Sequence, residues 1–336
     1  MRGGRAGSYS SRMMRLLLML PLLALVLELK PVRPTAAVSD DPDDPAIWVN
    51  RKDPAKSLIL GTNKVKAPHG AIYVFSLDGQ VKQRVANIDR PNNIDVEYGL
   101  GGVDIAVTTE RLTNRLRVFT VDAAGIADAG AIECCPEPMG IGLYKRPRDG
   151  AIFAIVAPKG RANSPLRDYL YQYRLERVDG KVTGKLVRRF GNFSGTKEIE
   201  AVVVDDALGI VYYSDEGAGI RKYHADPDHP QAARELAIFA TTGYRGDREG
   251  LAIYARPDGT GYLVSTDQLP VNSEYHVFDR QGGNRELFVF RGGADTTDGI
   301  EITSAPLGPQ FPGGLFIAMN SGAKNFLLYD ARLIKH

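Results

Sequence analysis

The chain has 336 residues, with 42 Lys and Arg against 40 Asp and Glu, and 43% of it is apolar. That length suits one large domain or two ordinary ones, and the composition excludes a disordered chain. Two cysteines exclude a disulfide-built scaffold, and 36 glycines with 20 prolines favour short strands joined by tight turns.

Residues 1–37 read as a secretory leader. Arg2, Arg5, Arg12 and Arg15 form a basic start, Leu16 to Leu27 is an apolar run broken by Pro21, and Thr35, Ala36 and Ala37 offer small residues for cleavage. The run is too short for an ordinary membrane span, although an uncleaved anchor is the alternative. Removing 1–37 shifts the net charge from +2 to −3. The remaining 38–336 is expected to be one mildly acidic domain, secreted or periplasmic. It carries no nucleic-acid footprint, and no membrane attachment is expected after the leader is removed.

From residue 40 a three-part cassette recurs six times. Its first apolar run opens on a polar residue in every cassette but the third, its second ends on one, and its third carries an aromatic. The first cassette opens at Asp44 (DPAIWV), passes Lys64 (TNK) and reaches Phe75 (YVF). The second opens at Asn93 (NIDVEY), passes Arg111 (TER) and reaches Phe119. The third has Met139 (MGIGLY), Lys159 (APK) and Tyr173, and the fourth has Glu200 (EAVVVD), Glu216 (SDE) and Tyr223. The fifth has Glu249 (EGLAIY), Gln268 (TDQ) and Phe278, and the sixth has Asp298 (DGIEIT), Asn320 (AMN) and Tyr329. Successive openings lie 49, 46, 61, 49 and 49 residues apart. A period near 50 built from short strands predicts an all-β, six-bladed propeller with one cassette per blade.

Antiparallel neighbours bring the start of each first strand and the end of each second strand to one end of the blade. One face should therefore gather Asp43, Asp44, Asn92, Asn93, Glu200, Glu216, Asp247, Glu249, Gln268, Asp298 and Asn320, with Lys64, Arg111 and Lys159 among them. Carboxylates so crowded repel one another, and such oxygen-rich sets suit Ca2+, which takes six to eight oxygen ligands. Glu200, Glu249 and Asp298 precede apolar strands where a solvated charge has no structural purpose. By contrast, Asp205-Asp206 is expected to end a strand, and Asp78, Asp179 and Asp258 belong to turns with the following Gly.

Other features carry less. The stretch Arg161 to Arg167 lengthens the third cassette and reads as a surface loop, with a lid as the alternative. Cys134 and Cys135 are adjacent and read as two loop thiols before the third blade. The five histidines form no catalytic arrangement, and no G-x-S-x-G elbow is present. The pattern does not show which terminal strand closes which blade.

Specific stretches resemble the β-propeller, or alkaline, phytases. They are Asp43-Asp44-Pro-Ala-Ile-Trp-Val, Thr-Asn63-Lys64, Pro91-Asn92-Asn93-Ile-Asp95, Glu200-Ala-Val-Val-Val-Asp205-Asp206, Asp215-Glu216, Asp247-Arg248-Glu249-Gly250 and Thr297-Asp298-Gly299. The resemblance spans nearly all of 40–330. It implies calcium-dependent hydrolysis of phytate (myo-inositol hexakisphosphate) to lower inositol phosphates, of the 3-phytase type, by attack of a calcium-bound water. It implies several calcium ions, structural and catalytic. Asp44, Glu200, Glu216, Asp247, Glu249, Gln268 and Asp298 would hold the catalytic ions, and Asp43, Asn325 and the backbone near Ile94 a structural one. Lys64, Arg111 and Lys159 match the family's phosphate-contacting bases; Glu200, Asp247 and Glu249, with Lys64 and Arg111, are expected to carry catalysis. The chain departs from the family pattern at Met139, where members carry Tyr, and at Val65, which replaces the second Lys of a pair. Asp295 lies in a shortened run and is a further candidate ligand.

Two other readings stand beside this one. A non-catalytic propeller would bind phosphate-rich ligands or a protein partner, and a lactonase-like calcium propeller hydrolase would hold one ion in the channel. A closed propeller has no edges that need a partner, so a monomer is expected.

Overall fold

The protein is described here from a computed structural model covering residues 1, 3, 4, 26–161 and 163–334. The apolar run of the expected leader lies outside these residues except at its end. Among them the only helical elements are three 3-10 turns, and no helix is long and apolar enough to cross a membrane.

Two short strands precede the first cassette, β1 (Leu27–Glu28) and β2 (Arg33–Pro34). Blade one is β3 (Pro42–Trp48), β4 (Leu58–Asn63), β5 (Ala71–Ser76) and β6 (Val81–Ala86); blade two is β7 (Pro91–Leu100), β8 (Val103–Glu110), β9 (Arg115–Asp122) and β10 (Gly125–Glu133). Blade three is β11 (Pro138–Lys145), β12 (Ile152–Pro158), β13 (Arg167–Val178) and β14 (Lys181–Asn192); blade four is β15 (Val202–Asp205), β16 (Ile210–Asp215), β17 (Gly219–His224) and β18 (Ala237–Phe239). Blade five is β19 (Asp247–Ala255), β20 (Gly261–Gln268), β21 (Glu274–Asp279) and β22 (Glu286–Arg291); blade six is β23 (Ile300–Thr303), β24 (Leu315–Asn320) and β25 (Asn325–Asp330). Within each blade the consecutive strands form an antiparallel meander, and the first strands lie side by side around the ring, β23 returning to β3.

The sequence dictates this locally. Asp179 and Gly180, at φ 49° and 79°, close a two-residue hairpin between Val178 and Lys181, the turn that Asp-Gly favours because both central residues need positive φ. The cassette aromatics have a single job. Phe75, Phe119, Tyr173, Tyr223, Phe278 and Tyr329 are all buried, and each packs in the cluster between its own blade and the preceding one. Six apolar clusters thus glue six interfaces, which no isolated blade could bury alone.

The termini close the ring. β2 pairs antiparallel with β25 as the outer strand of blade six, Arg33 opposite Leu328, and β1 adds parallel to β22, Leu27 opposite Phe290. Leu29 and Val38 are buried in the clusters of these blades. The folded ring therefore includes residues that the sequence groups with the leader up to 37. Arg161 and residues 163–166 form the loop before β13, with Arg161 paired to Glu137. The thiols of Cys134 and Cys135, in the loop before β11, are free and 3.4 Å apart.

Candidate active site

Four of the six first strands leave their ladder at the cassette opening. The β3–β4 register shifts between Pro42 and Pro45, β7–β8 between Pro91 and Ile94, β11–β12 between Pro138 and Ile141, and β19–β20 between Arg248 and Leu251. A bulge re-aims the side chains it contains. Here it contains Asp43-Asp44, Asn92-Asn93, Met139-Gly140 and Glu249-Gly250. Glycines let neighbouring first strands approach: a Cβ on Gly250 would lie 2.7 Å from the Asp298 carbonyl, and one on Gly299 would lie 2.6 Å from the Asp44 Cα.

The centre is a charge network joining residues far apart in sequence. Lys64 Nζ lies 2.7 Å from Asp43 Oδ1 and 3.1 Å from Asp298 Oδ2. Asn92 Nδ2 donates to Asp43 Oδ2 at 3.0 Å and to Glu200 Oε1 at 3.4 Å, while Arg111 donates to Asn92 Oδ1 at 3.2 Å. Gln268 donates to Asp298. Glu216, Asp247 and Glu249 bring carboxylate oxygens within 4.8 Å of one another, the spacing of a shared cation. Glu249 Oε2 is buried with no hydrogen-bond partner. Such an orphaned acceptor is costly unless something occupies its lone pairs.

The electrostatics agree. Burial, then the charges of Glu200 and Glu198, push Glu216 up to about 8. Burial, then Glu200, Glu216 and Asp298, raise Glu249 well above the carboxylate range. Burial raises Asp43 likewise, Lys64 only partly offsetting it. Burial opposes the charge on Lys64, but Asp43, Glu200 and Asp298 outweigh it and raise the ammonium pKa. The group attracts positive charge, whether proton or metal ion.

The predicted residues sort as follows. Asp43, Lys64, Arg111, Glu200, Glu216, Asp247, Glu249, Gln268 and Asp298 meet on one face. Asp44 turns away from Lys64: its Oδ2 accepts from Ile94 N at 2.9 Å, beside Asp95 and Glu301 in the central channel. Of the two neighbours it is thus Asp43 that joins the main cluster. Asn325 stands at the start of β25, where its Oδ1 accepts from Asn320 Nδ2 at 2.9 Å, and Asn320 Oδ1 accepts from Asp295 N at 3.1 Å. These three form a separate polar knot on blade six. Lys159 pairs with Glu198. Met139 is buried, its carbonyl accepting from Thr109 Oγ1 at 2.9 Å, and Lys66 is exposed. Asp205 ends β15 in an ion pair with Arg280, and Asp206 accepts from Lys145 N at 2.9 Å, so neither joins the site.

Sequence reasoning missed three participants. Lys197 pairs with Asp247, Glu198 with Lys159, and buried Arg248 reaches Glu216 O at 3.0 Å and so ties the Glu216 turn to β19. Lys197 and Glu198 sit just ahead of the Glu200 opening, and their flanking position was the only available signal.

Known proteins resemble this chain over most of its length. The chain is 32% identical over 312 residues to a 3-phytase of Bacillus subtilis (strain 168), covering 85% of this chain and 76% of the relative. A solved chain titled Kuenenia stuttgartiensis hydrazine synthase superposes at a TM-score of 0.51 with 12% identity, covering 85% of this chain and 82% of its own, which bears on the fold alone. Residues 24–325 match the phytase family model. With a six-bladed ring, a gathered acidic centre and a family match over most of its length, this chain belongs to the phytase family.

Proposed function

We propose that this protein is a calcium-dependent phosphomonoesterase that hydrolyses phytate to lower inositol phosphates and phosphate. The observation that carries the reading is the Glu216, Asp247 and Glu249 group, with its orphaned Glu249 Oε2, on the same face as Lys64 and Arg111. The donor set fits a hard cation: Asp43, Glu200, Glu216, Asp247, Glu249, Asp298 and the Gln268 carbonyl offer only oxygen. Bound there, calcium would neutralise the carboxylates, attract the polyanionic substrate and acidify a water.

The remaining work falls to the side chains. Lys64 and Arg111 are held by Asp43 and Asn92, so their cationic ends are fixed before substrate arrives. From there they donate to phosphate oxygens, where charge grows as the ester bond breaks. Lys159, at the end of the equivalent strand of blade three, contributes a further phosphate contact. Glu249 stands with Glu200 and Asp247 among the residues that would hold the ion, and its otherwise unpartnered Oε2 would be a ligand atom.

The test is phosphate release from phytate by the purified chain, with added calcium and with chelator, beside Glu249→Ala. Release that needs calcium and falls at least ~10-fold in the variant supports the reading, since losing a partner of a metal site costs about 10–100-fold in metal affinity or activity. A folded protein that binds phytate under calcium without releasing phosphate would make it a binding module instead.

A further inference from the structure

A second cluster of ligating side chains lies outside this centre, in blade five. Asp267 on β20 is paired opposite Glu274 on β21, and Ser265 opposite His276. All four side chains therefore share the face turned toward blade four. One ligating atom each from Asp267, Glu274 and His276 lies within 4.8 Å of the other two, and all three residues are more than nine-tenths buried.

The histidine carries the argument. Its Nδ1 lies 3.1 Å from Glu286 Oε2 and donates to it, so in the neutral ring the lone pair is on Nε2. Nε2 is buried without a hydrogen-bond partner and faces Asp267 Oδ2 at 3.9 Å, too long for a hydrogen bond. Tyr244 stacks on the ring at 4.1 Å, and the hydroxyls of Tyr244 and Ser265 are also buried and unpartnered. A carboxylate–imidazole pair with an open Nε2 is how proteins present histidine to a metal. Neighbouring charge leaves room for a cation. Asp267, Glu274 and Glu286 are acidic, while Arg245 and Arg291 supply two positive charges against Glu274 Oε1. With a neutral imidazole the group is one charge negative.

We propose that Asp267, Glu274 and His276 form a second metal site, selective for a first-row divalent ion such as zinc over calcium. One imidazole with two carboxylates is a borderline donor set that calcium disfavours. Asp267 already accepts from Arg245 N at 3.0 Å and Gly246 N at 2.7 Å, just before the predicted ligand Asp247. An ion there would pin the loop that delivers Asp247 to the main site.

The experiment equilibrates the full chain with zinc in saturating calcium, removes excess, and measures bound zinc by elemental analysis. Histidine 15N resonances are followed in parallel. One zinc per chain, lost in His276→Ala, with a zinc-induced shift of His276 Nε2 in the unaltered protein, is expected. Glu286→Ala, outside the cluster and partly exposed, should weaken zinc binding about 10–100-fold and covers the case in which His276→Ala does not fold. Zinc content equal in the unaltered and variant proteins overturns the site. So does a His276 ring that stays a plain imidazolium, unmoved by zinc.

Discussion

Acidic pairs at opposite ends of first strands have different roles, and their partners explain why. Asp205 and Asp206 follow an apolar strand as Asp43 and Asp44 precede one, yet Asp205 accepts two hydrogen bonds, 2.6 and 2.8 Å, from Arg280 across the blade four–blade five interface. Both partners are almost wholly buried. Removing one leaves an uncompensated buried charge, so Arg280→Ala should cost about 3–5 kcal/mol in urea denaturation. Removing exposed Asp149 leaves Arg146 paired with Asp226 and Asp228 and should shift the midpoint far less. Equal midpoints for the two variants would deny the pair its structural role. The same contrast marks what was legible. Glu200, Glu249 and Asp298 could be read because each interrupts polar-to-apolar patterning with no other purpose. Lys197 and Glu198 could not, because loop residues carry no period. His276 stayed hidden because the alternation of β21 explains a buried residue there without giving a reason for imidazole. The exchange of surroundings between Asp43 and Asp44 depends on a bulge, and a bulge leaves no mark on a hydrophobicity pattern.

At the scale of elements, the cassettes revealed three strands of every blade because each buries a face against its neighbour. The fourth strands are half exposed, as in Val81–Ala86, and were left unread for that reason. The terminal strands were also unreadable, since two residues have no periodicity. Yet they are tied in: Thr35 N donates to Phe326 O, Ala36 N to Gly79 O and Val38 N to Lys324 O, each at 2.8 Å, and Phe326 N donates to the buried Thr35 Oγ1 at 3.1 Å. A chain beginning at 38 loses β1, β2 and the burial of Leu29, and bares the edges of β22 and β25. Burying one Leu contributes about 1.5–3 kcal/mol and each intramolecular hydrogen bond about 1 kcal/mol. The chain from 38 should therefore be less stable than the chain from 26 by at least ~2 kcal/mol in denaturant unfolding. Indistinguishable unfolding curves would make β1 and β2 dispensable.

Across the whole molecule, the ring stacks acids along its axis. Burial lifts Asp95 to about 7 and Glu216 to about 8, and burial with the adjacent Glu97 lifts Asp206 to about 9. In the unfolded chain these groups titrate near 4. Between pH 4 and 9 the folded state therefore binds more protons than the unfolded one, and stability must fall as pH rises through that window. Below it the sign reverses, because carboxylates held low, such as Asp149 beside Arg146, lose their ion pairs on protonation. Within the range pH 5 to 9, chelated protein should thus melt highest at pH 5 and progressively lower toward pH 9. Calcium should lessen the slope by replacing the protons at Glu216 and its neighbours, but it should leave the Asp206 share, which lies outside the predicted ligand set. Asp206→Asn should remove that share with or without calcium. Melting temperatures of both proteins from pH 5 to 9, in calcium and in chelator, separate the two contributions. A chelated protein that grows more stable toward pH 9 would mean that these acids are ionised in the fold, and the axis is then wetter than its packing implies.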